Sequence, residues 1–473
     1  MLKCKVELIM PVQFNGKSFL SFLPTKLMQK ANRDLTKGKI TKNLICLAIP
    51  ILMTYILQDA FEVVDMIFIG RLGAPELAAV AMSGNILRLV AVAGLGISTG
   101  ATVLVSQSIG AKKQAEGENI ALQSLLLSVF FSAGICGIGY PLSAFSLRIL
   151  GAEPEILQLG VPYMQIAFIG LIIRFLSMTL NSIYRGAGDA VTPMLVLIFA
   201  TFLNIVLDWL LIFGKLGFPE LGIVGSAYAT LIGRSTSVLI MLYLCFRGKG
   251  AISLKHVDWC VNFPEMGKVL KLGVFSAMQG FWRHFSRLGF LRVVASYGTS
   301  AVAAYAVCMR LRVIVMNPGF AIAGAVSPMV GQNLGACLVD RARKSAQVGN
   351  WLAVFVMIGI GVLFLFFPGF FVSMFTQDPS VIRIAEVYLR YLSPTFGFIA
   401  VSLVLGRAMT GSGDTLSPMV ITLVSQCGIG LVLVILLSYT INMIGIWIGI
   451  ALSNVVQGLL MWIRYRYSDW ETK

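Results

Sequence analysis

The sequence repeats itself at an offset of 225 residues, and this repeat restricts the chain to folds built from two copies of one unit. Val-Ser-Gln-Ser-Ile-Gly-Ala at 105–111 returns at 330–336 as Val-Gly-Gln-Asn-Leu-Gly-Ala. Gly-Ala-Gly-Asp at 186–189 returns at 411–414 as Gly-Ser-Gly-Asp. A single spacing shared by separate segments indicates duplication, and many membrane transporters are built from such repeats.

The chain is too apolar for a soluble domain, since 57% of its residues are hydrophobic and only 12% are charged. Soluble domains have about 45–50% and about 25% of these classes. Apolar stretches of about 20 residues recur, and each is long enough to cross a hydrocarbon core of ~30 Å as a helix. We predict twelve spans, near 44–66, 77–106, 119–141, 156–185, 191–213, 222–246, 267–296, 302–334, 347–371, 384–410, 416–439 and 442–464.

The repeat and the spans together predict an all-α integral membrane protein with two pseudo-symmetric six-helix bundles around a central cleft. Because each half spans six times, both halves enter the membrane from the same side and the repeats are parallel. The predicted units are a cytoplasmic leader at 1–39, an N-lobe at 40–246, a cytoplasmic linker at 247–264, a C-lobe at 265–465 and a cytoplasmic tail at 466–473.

The net charge of +16 would suggest a nucleic-acid partner in a soluble protein. Here the basic residues are concentrated in alternate loops, which indicates topology instead. We therefore predict a multi-pass protein of the plasma membrane with both termini in the cytoplasm, and no nucleic-acid partner. The basic loops are marked by Arg33, Lys37, Lys112, Lys113, Arg247, Arg341, Arg343 and Arg464.

The first span contains an unusual number of acids. A charged residue at the centre of a membrane costs roughly 2.5–3.5 kcal/mol on insertion scales, so such residues are functional candidates. Steps of three and four residues place Gln58, Glu62 and Asp65 on one helical face. We predict that Gln58 and Glu62 line a substrate cavity and that Asp65 couples an ion. The alternative is that Asp59 and Glu62 are simply hydrated near the outer end of the span.

A second polar pair lies in the sixth predicted span. Asn204 and Asp208 are one helical turn apart within an otherwise apolar run. An amide and a carboxylate at this spacing can share a proton or offer oxygens to Na⁺, with Asn181, Ser226 and Thr230 as candidate partners. The alternative is a polar contact between helices, worth about 0.6–2 kcal/mol.

The C-terminal copy has basic residues at positions where the N-terminal copy has polar or acidic ones. Gln58 and Glu62 correspond to Arg283 and Arg287, and Gln279 lies one turn earlier. We predict that these three C-lobe residues line the substrate cavity. Glu62 and Arg287 could pair across the cleft, or the arginines could bind an anionic or zwitterionic group. The alternative is that the arginines extend to the lipid headgroups.

The chain resembles the multidrug and toxic compound extrusion (MATE) family of secondary transporters over residues 38–465. The motifs that carry the resemblance are Ala48-Ile-Pro50, Val64-Asp65 through Gly73, Arg185-Gly186 through Met194, Asn204-Ile-Val-Leu-Asp208, Pro219 through Gly225, Val330 through Ala336 and Gly411-Ser-Gly-Asp414. The resemblance implies alternating access between two bundles and export of organic cations in exchange for Na⁺ or H⁺.

The resemblance also assigns roles to individual residues. Members with an ion site in the N-terminal lobe use residues that match Asp65, Asn204 and Asp208. Gln58 and Asn181 match polar positions of that lobe, and Pro50 matches a proline where the first helix bends. The branch with acids in the C-terminal lobe does not fit, since the seventh and tenth spans carry Arg283, His284, Arg287 and Arg407.

The sequence thus predicts a secondary antiporter that exports small organic compounds, cationic or amphipathic, in exchange for H⁺ or Na⁺. Its partners would be the substrate and the bilayer, its state monomeric, and its only cofactor the coupling ion. The alternative is a flippase or exporter of an anionic or lipid-linked metabolite that uses the basic face of the seventh span. An enzyme is not expected, because no nucleophile–base or metal constellation is visible, and a channel lacks a repeated filter.

Overall fold

The computed structural model describes residues 34–248, 250–255 and 257–472, and the regular structure in these ranges is helical. Most of the predicted leader at 1–39 lies outside the described residues. The first half contains α1 (Ile40–Gly70), α2 (Ala74–Gly110), α3 (Gln114–Gly139), the short α4 (Ser143–Ile149), α5 (Pro154–Gly186), α6 (Val191–Phe213) and α7 (Gly222–Phe246).

The second half repeats this order with more interruptions. It contains α8 (Phe263–Ala295), α9 (Thr299–Gly335), α10 (Val339–Phe366), the short α11 (Pro368–Ser373), α12 (Pro379–Leu392), α13 (Phe396–Ser412), α14 (Leu416–Thr422) and α15 (Leu431–Tyr467). A 3-10 turn joins α12 to α13, and a π-helix at Leu423–Gly430 joins α14 to α15. Non-helical backbone at Ile441 and Asn442 interrupts α15. The part before this break ends the eleventh predicted span, and the part after it forms the twelfth.

Helix positions follow the 225-residue offset closely. Helices α2 and α9 both begin and end 225 residues apart, and the starts of α3 and α10, α5 and α12, and α6 and α14 keep the same spacing. Ten helical segments of the described chain are long and apolar enough to span a membrane, and one of them, Leu416–Tyr467, contains two spans. Helix α8 completes the twelve, although its arginines make it less apolar than the rest.

The Gly-x-Gly-Asp motif builds the same turn in both halves. Gly188 and Gly413 have φ angles of +90° and +107°, which glycine adopts without steric cost. The Asp189 carboxylate then accepts hydrogen bonds from the first two backbone amides of α6, at 2.9 Å each. Asp414 accepts the amide of Ser417 at 3.2 Å. Burial raises the pKa of Asp189, although the hydrogen bonds to its carboxylate act in the opposite direction.

The two lobes meet through reciprocal hydrogen bonds at the end of the molecule where α2 and α9 finish. Gln107 Nε2 donates to the Gly411 carbonyl at 3.2 Å, and Gln332 Nε2 donates to the Gly186 carbonyl at 2.9 Å. Both donors and both acceptors are related by the 225-residue offset. The pseudo-two-fold axis therefore passes between these two glutamines.

Glycines allow the backbones to approach at the same end. A Cβ on Gly110 would collide with the Gln332 carbonyl, and one on Gly335 would collide with the Gln107 carbonyl. Nearer the middle of α2, a Cβ on Gly96 would lie 2.6 Å from the carbonyl oxygen of Gly273 on α8. This end of the cleft is therefore closed by direct backbone packing between the lobes.

The segment between the lobes packs against the N-lobe. Ile252 and Leu254 are buried in the same apolar cluster as residues of α3, α5 and α7. Gln123 of α3 donates to the Cys260 carbonyl at 2.8 Å and accepts the Asn262 amide at 2.9 Å. Helix α8 begins at Phe263, two residues before the predicted start of the C-lobe.

Candidate functional site

Asp65 lies on α1 in the N-lobe and faces α7. Its Oδ1 accepts a hydrogen bond of 2.7 Å from Ser226 Oγ, and Ser226 is buried. The Asp65 side chain lines a cavity of about 270 Å³ and is close enough to Asp208 for the two carboxylates to repel each other. Three of the residues predicted for ion coupling are therefore neighbours in the structure: Asp65, Asp208 and Ser226.

Asn204 and Asp208 lie one turn apart on α6 and are only 2% and 0% exposed. Among the described residues, no hydrogen-bond partner is found for either oxygen of Asp208 or for either polar atom of the Asn204 amide. Leaving a buried polar group unpaired costs about 1–3 kcal/mol, and more when it is charged. A proton or a hard cation such as Na⁺ would satisfy these oxygens, so the pair fits a coupling ion.

The residues around this pair form a cavity of about 230 Å³ between α1, α5, α6 and α7. Its wall includes five of the residues predicted from the sequence: Gln58, Glu62, Asn181, Asn204 and Thr230. Glu62 and Thr230 also line the cavity that contains Asp65, so the two cavities are adjacent. Asp208 lines neither of them and lies behind the wall.

Two arginines of the N-lobe were not predicted from the sequence. Arg174 on α5 and Arg234 on α7 line both N-lobe cavities and attract Glu62 electrostatically. Each lies within a predicted span, and Arg174 stands between the apolar Ile173 and Phe175. The rule that singled out the buried acids, applied to basic residues, would have found both of them.

The basic residues of α8 lie in a different cavity, enclosed by the C-lobe. Gln279, Arg283 and Arg287 line this cavity of about 70 Å³ together with Arg312 of α9 and Arg407 of α13. No carboxylate is among the described residues that line it. The predicted substrate residues thus fall into two groups, with Gln58 and Glu62 on the N-lobe cavity and the other three on the C-lobe cavity.

Glu62 and Arg287 do not form the ion pair that was considered from the sequence. The ion pairs found among the described residues do not include either side chain. The lobes are linked instead by Asn317 of α9, whose Nδ2 donates to Asp59 Oδ2 of α1 at 2.7 Å.

Pro50 lies near the start of α1, which continues as a helix on both sides of it. Proline has no backbone N–H and therefore removes one helical hydrogen bond. Thr54 Oγ1 donates to the Pro50 carbonyl at 2.8 Å. The backbone ladder of α1 is thus weaker at this turn than elsewhere.

The family model described as MatE matches residues 50–210 and 284–436, which covers both lobes. The chain belongs to this family. It is a membrane transporter of the MATE type and not an enzyme, as the resemblance of its motifs predicted. Members of the family use ion gradients rather than bound cofactors.

Individual relatives support this assignment over nearly the full length of the chain. The "Probable multidrug resistance protein NorM" of Thermotoga maritima is 27% identical, and the alignment covers 92% of this chain and 94% of the relative. A solved structure, "Crystal structure of MATE in the bent conformation", has a TM-score of 0.86 and 23% identity, and the match covers 91% of this chain and 96% of that one.

A second solved structure has the same fold. It is a MOP superfamily transporter from Pyrococcus furiosus, for which reverse polarity of the binding pocket is said to suggest a different function. Its TM-score is 0.85 at 22% identity, and the match covers 91% of this chain and 96% of that one. These likenesses confirm the predicted fold of two six-helix bundles.

Proposed function

We propose that this chain is a secondary active antiporter that exports small organic compounds in exchange for H⁺ or Na⁺. The coupling ion would bind at Asp65, Asn204 and Asp208 in the N-lobe. The observation that carries this proposal is the buried Asn204–Asp208 pair, whose four polar atoms have no partner among the described residues. The relatives named as multidrug resistance proteins are consistent with export of organic compounds.

Coupling follows because the site destabilises the protein when it is empty and does not do so when it holds a proton or Na⁺. An unpaired buried carboxylate destabilises the conformation that encloses it, whereas a proton or Na⁺ removes that cost. A ligand that binds one conformation more tightly shifts the population toward it. Asn181, Ser226 and Thr230 would contribute further oxygens around the ion, and Ser226 already contacts Asp65.

The direction of transport depends on the orientation of the chain. With both termini in the cytoplasm, as the basic loops predict, the end closed by Gln107 and Gln332 faces the cytoplasm. The conformation described is then closed toward the cytoplasm. Gln58 and Glu62 would contact the substrate along the N-lobe wall, and the weakened turn at Pro50 would let α1 bend. A monomer contains both lobes and needs no second copy for this cycle.

The test is export of a fluorescent organic cation from proteoliposomes under an imposed H⁺ or Na⁺ gradient. We expect the wild type to move the dye. Asp65→Asn and Asp208→Asn should lower the gradient-driven rate at least tenfold, which corresponds to about 1.4 kcal/mol. Glu220→Gln is the matched control, because Glu220 is an exposed N-lobe acid outside the site. Undiminished coupled export by both site variants would contradict the proposal.

A second candidate function is export or flipping of an anionic or lipid-linked metabolite. The observation that favours it is the group of arginines in the C-lobe cavity. The two candidates share the coupling site and differ in the charge of the cargo. Replacing the cationic dye with a fluorescent organic anion in the same proteoliposomes separates them, since only the second candidate predicts that the anion is exported.

A further inference from the structure

The C-lobe cavity carries more positive charge than its neighbours neutralise. It is lined by four arginines, Arg283, Arg287, Arg312 and Arg407. None of these four takes part in an ion pair among the described residues. The other three arginines repel Arg283. Burying an ion without a counter-charge is strongly unfavourable. The cavity wall is therefore suited to a negatively charged group.

The unpaired polar atoms of this wall are donors. Asn454 is 2% exposed, and no described residue accepts a hydrogen bond from its Nδ2. Its Oδ1 already accepts from Arg312 Nη2 at 3.4 Å, and Arg312 Nε has no partner in the described chain. The unpaired atoms of the Asn204–Asp208 pair, in contrast, include two carboxylate oxygens. The C-lobe wall therefore requires an acceptor where the N-lobe pair requires a proton or cation.

We propose that the C-lobe cavity binds the anionic, oxygen-rich head of the transported compound. The shared chemistry is that of a phosphate, sulfonate or carboxylate group, whose oxygens match the planar fork of a guanidinium. The substrate is then an amphipathic organic anion or a zwitterion. This inference rests on the second candidate function, export of an anionic compound, and names the site that binds its head.

The size of the cavity limits what it holds. Its volume is about 70 Å³, several times the roughly 10–15 Å³ that one water requires. A drug-sized ligand needs a pocket of roughly 300–1,000 Å³. The cavity therefore accommodates a compact head and not a whole organic molecule.

One edge of the cavity faces the other lobe. Arg407 Nη1 donates to Thr99 Oγ1 of α2 at 3.5 Å, so one edge of the cavity lies at the boundary between the lobes. Gln279, in the same wall, is fixed by hydrogen bonds to the Pro418 carbonyl and to Thr422. The head would be held by the C-lobe while the apolar part lies in the central cleft.

The test measures binding directly, without a gradient. The protein is purified in phosphatidylcholine nanodiscs, and binding of radiolabelled phenyl phosphate and benzoate is measured by equilibrium dialysis. We expect saturable binding of at least one of the two to the wild type. Arg283→Gln and Arg312→Gln should weaken it at least tenfold. Arg292→Gln is the matched control, because Arg292 is an exposed residue of the same helix and does not line the cavity.

Folding of each variant is checked by size-exclusion chromatography. Asn454→Leu tests the same wall without removing a charge and should weaken binding several-fold, so the proposal stays testable if an arginine variant does not fold. Nanodiscs that contain phosphatidylglycerol distinguish the source of the head. Competition by this lipid would support a lipid headgroup, and unchanged binding of phenyl phosphate would support a soluble anion.

Two results would overturn the proposal. One is the absence of saturable binding of phenyl phosphate and benzoate to the wild type, with no effect of phosphatidylglycerol on its thermal stability. The other is an equal loss of binding in Arg292→Gln and Arg283→Gln. Neither result depends on ion coupling, because binding is measured without a gradient, and Glu220→Gln, outside both sites, should bind the anions normally. Failure of the anion site and failure of the antiport proposal are therefore separate outcomes.

Discussion

Asp208 is completely buried, and neither of its carboxylate oxygens has a partner among the described residues, which is costly for the folded state. Under the proposed antiport, uptake of a proton or cation by the site would remove that cost. Ser226 gives Asp65 a partner that Asp208 lacks. Asp65 and Asp208 are therefore not equivalent, and we expect Asp208 to contribute more to the difference between loaded and unloaded states.

Asp208→Asn should stabilise the protein while it abolishes coupling. The amide has nearly the same shape and carries no charge, so the free energy of unfolding should rise by about 1–3 kcal/mol where the wild-type carboxylate is ionised. The ionised form carries the larger cost, so the gain should be larger at pH 9 than at pH 5. Thermal unfolding in detergent at the two pH values measures it. A loss of stability at both would show that Asp208 has a stabilising partner.

At the scale of helices, the same capping interaction starts α6 and α14. Asp189 accepts the amides of Val191 and Thr192, and Asp414 accepts the amide of Ser417, each directly after a glycine with positive φ. The Gly-x-Gly-Asp motif is thus explained by local structure, and it lines none of the three cavities described above. Its recurrence at both positions reflects the turn that both lobes require.

Replacing these caps should destabilise the two lobes by different amounts. Asp189→Ala should cost about 1 kcal/mol, the usual value for a lost helix cap. Asp414→Ala should cost more, because its Oδ2 also accepts from Ser417 Oγ at 2.7 Å and lies 3.5 Å from Arg464 Nη2. Chemical denaturation of both variants gives the comparison. Asp189→Asn is the control and should be close to wild type, since Asn caps as well as Asp.

At the scale of the whole molecule, the pseudo-symmetry brings equivalent residues together only near its axis. Gln107 and Gln332 lie beside the axis and make matching contacts across it. Glu62 and Arg287 are also equivalent, yet they line separate cavities within their own lobes. The repeat alone does not give the distance of a residue from the axis, so the sequence could not decide whether these two side chains meet.

The parts of the structure that could be predicted are those that do not depend on how the helices pack against one another. The twelve spans follow from apolar length, and the repeat aligns their ends. The N-lobe acids were found because a charge within a span has a cost, whereas Arg174 and Asn454 were missed. Cavity membership depends on how each helix is rotated and packed, and only the tertiary structure shows that. The arginines of α8 were therefore predictable as unusual residues, but not as the wall of a separate C-lobe cavity.

Closure between the lobes should depend on the two axial glycines equally. Gly110→Ala and Gly335→Ala each place a methyl group against a glutamine carbonyl of the other lobe. Both should shift the population away from the conformation described here. Spin labels on the two lobes, measured by pulsed electron resonance, would show a longer distance at this end. Gly134→Ala is the control, because a Cβ there meets nothing within 4 Å. An unchanged distance distribution in both axial variants would contradict this expectation.

The opposite polarity of the two lobes has an electrical consequence. If a cation enters at the N-lobe while an anionic head leaves from the C-lobe, both movements carry positive charge inward. Exchange of one H⁺ or Na⁺ for a monoanion would move two elementary charges per cycle, each worth about 2.3 kcal/mol per 100 mV. An inside-negative potential would then drive export even without an ion gradient, and exchange for a monovalent cation would not respond to it. Imposing a potassium diffusion potential with valinomycin across proteoliposomes would distinguish a voltage-driven exporter from an electroneutral one.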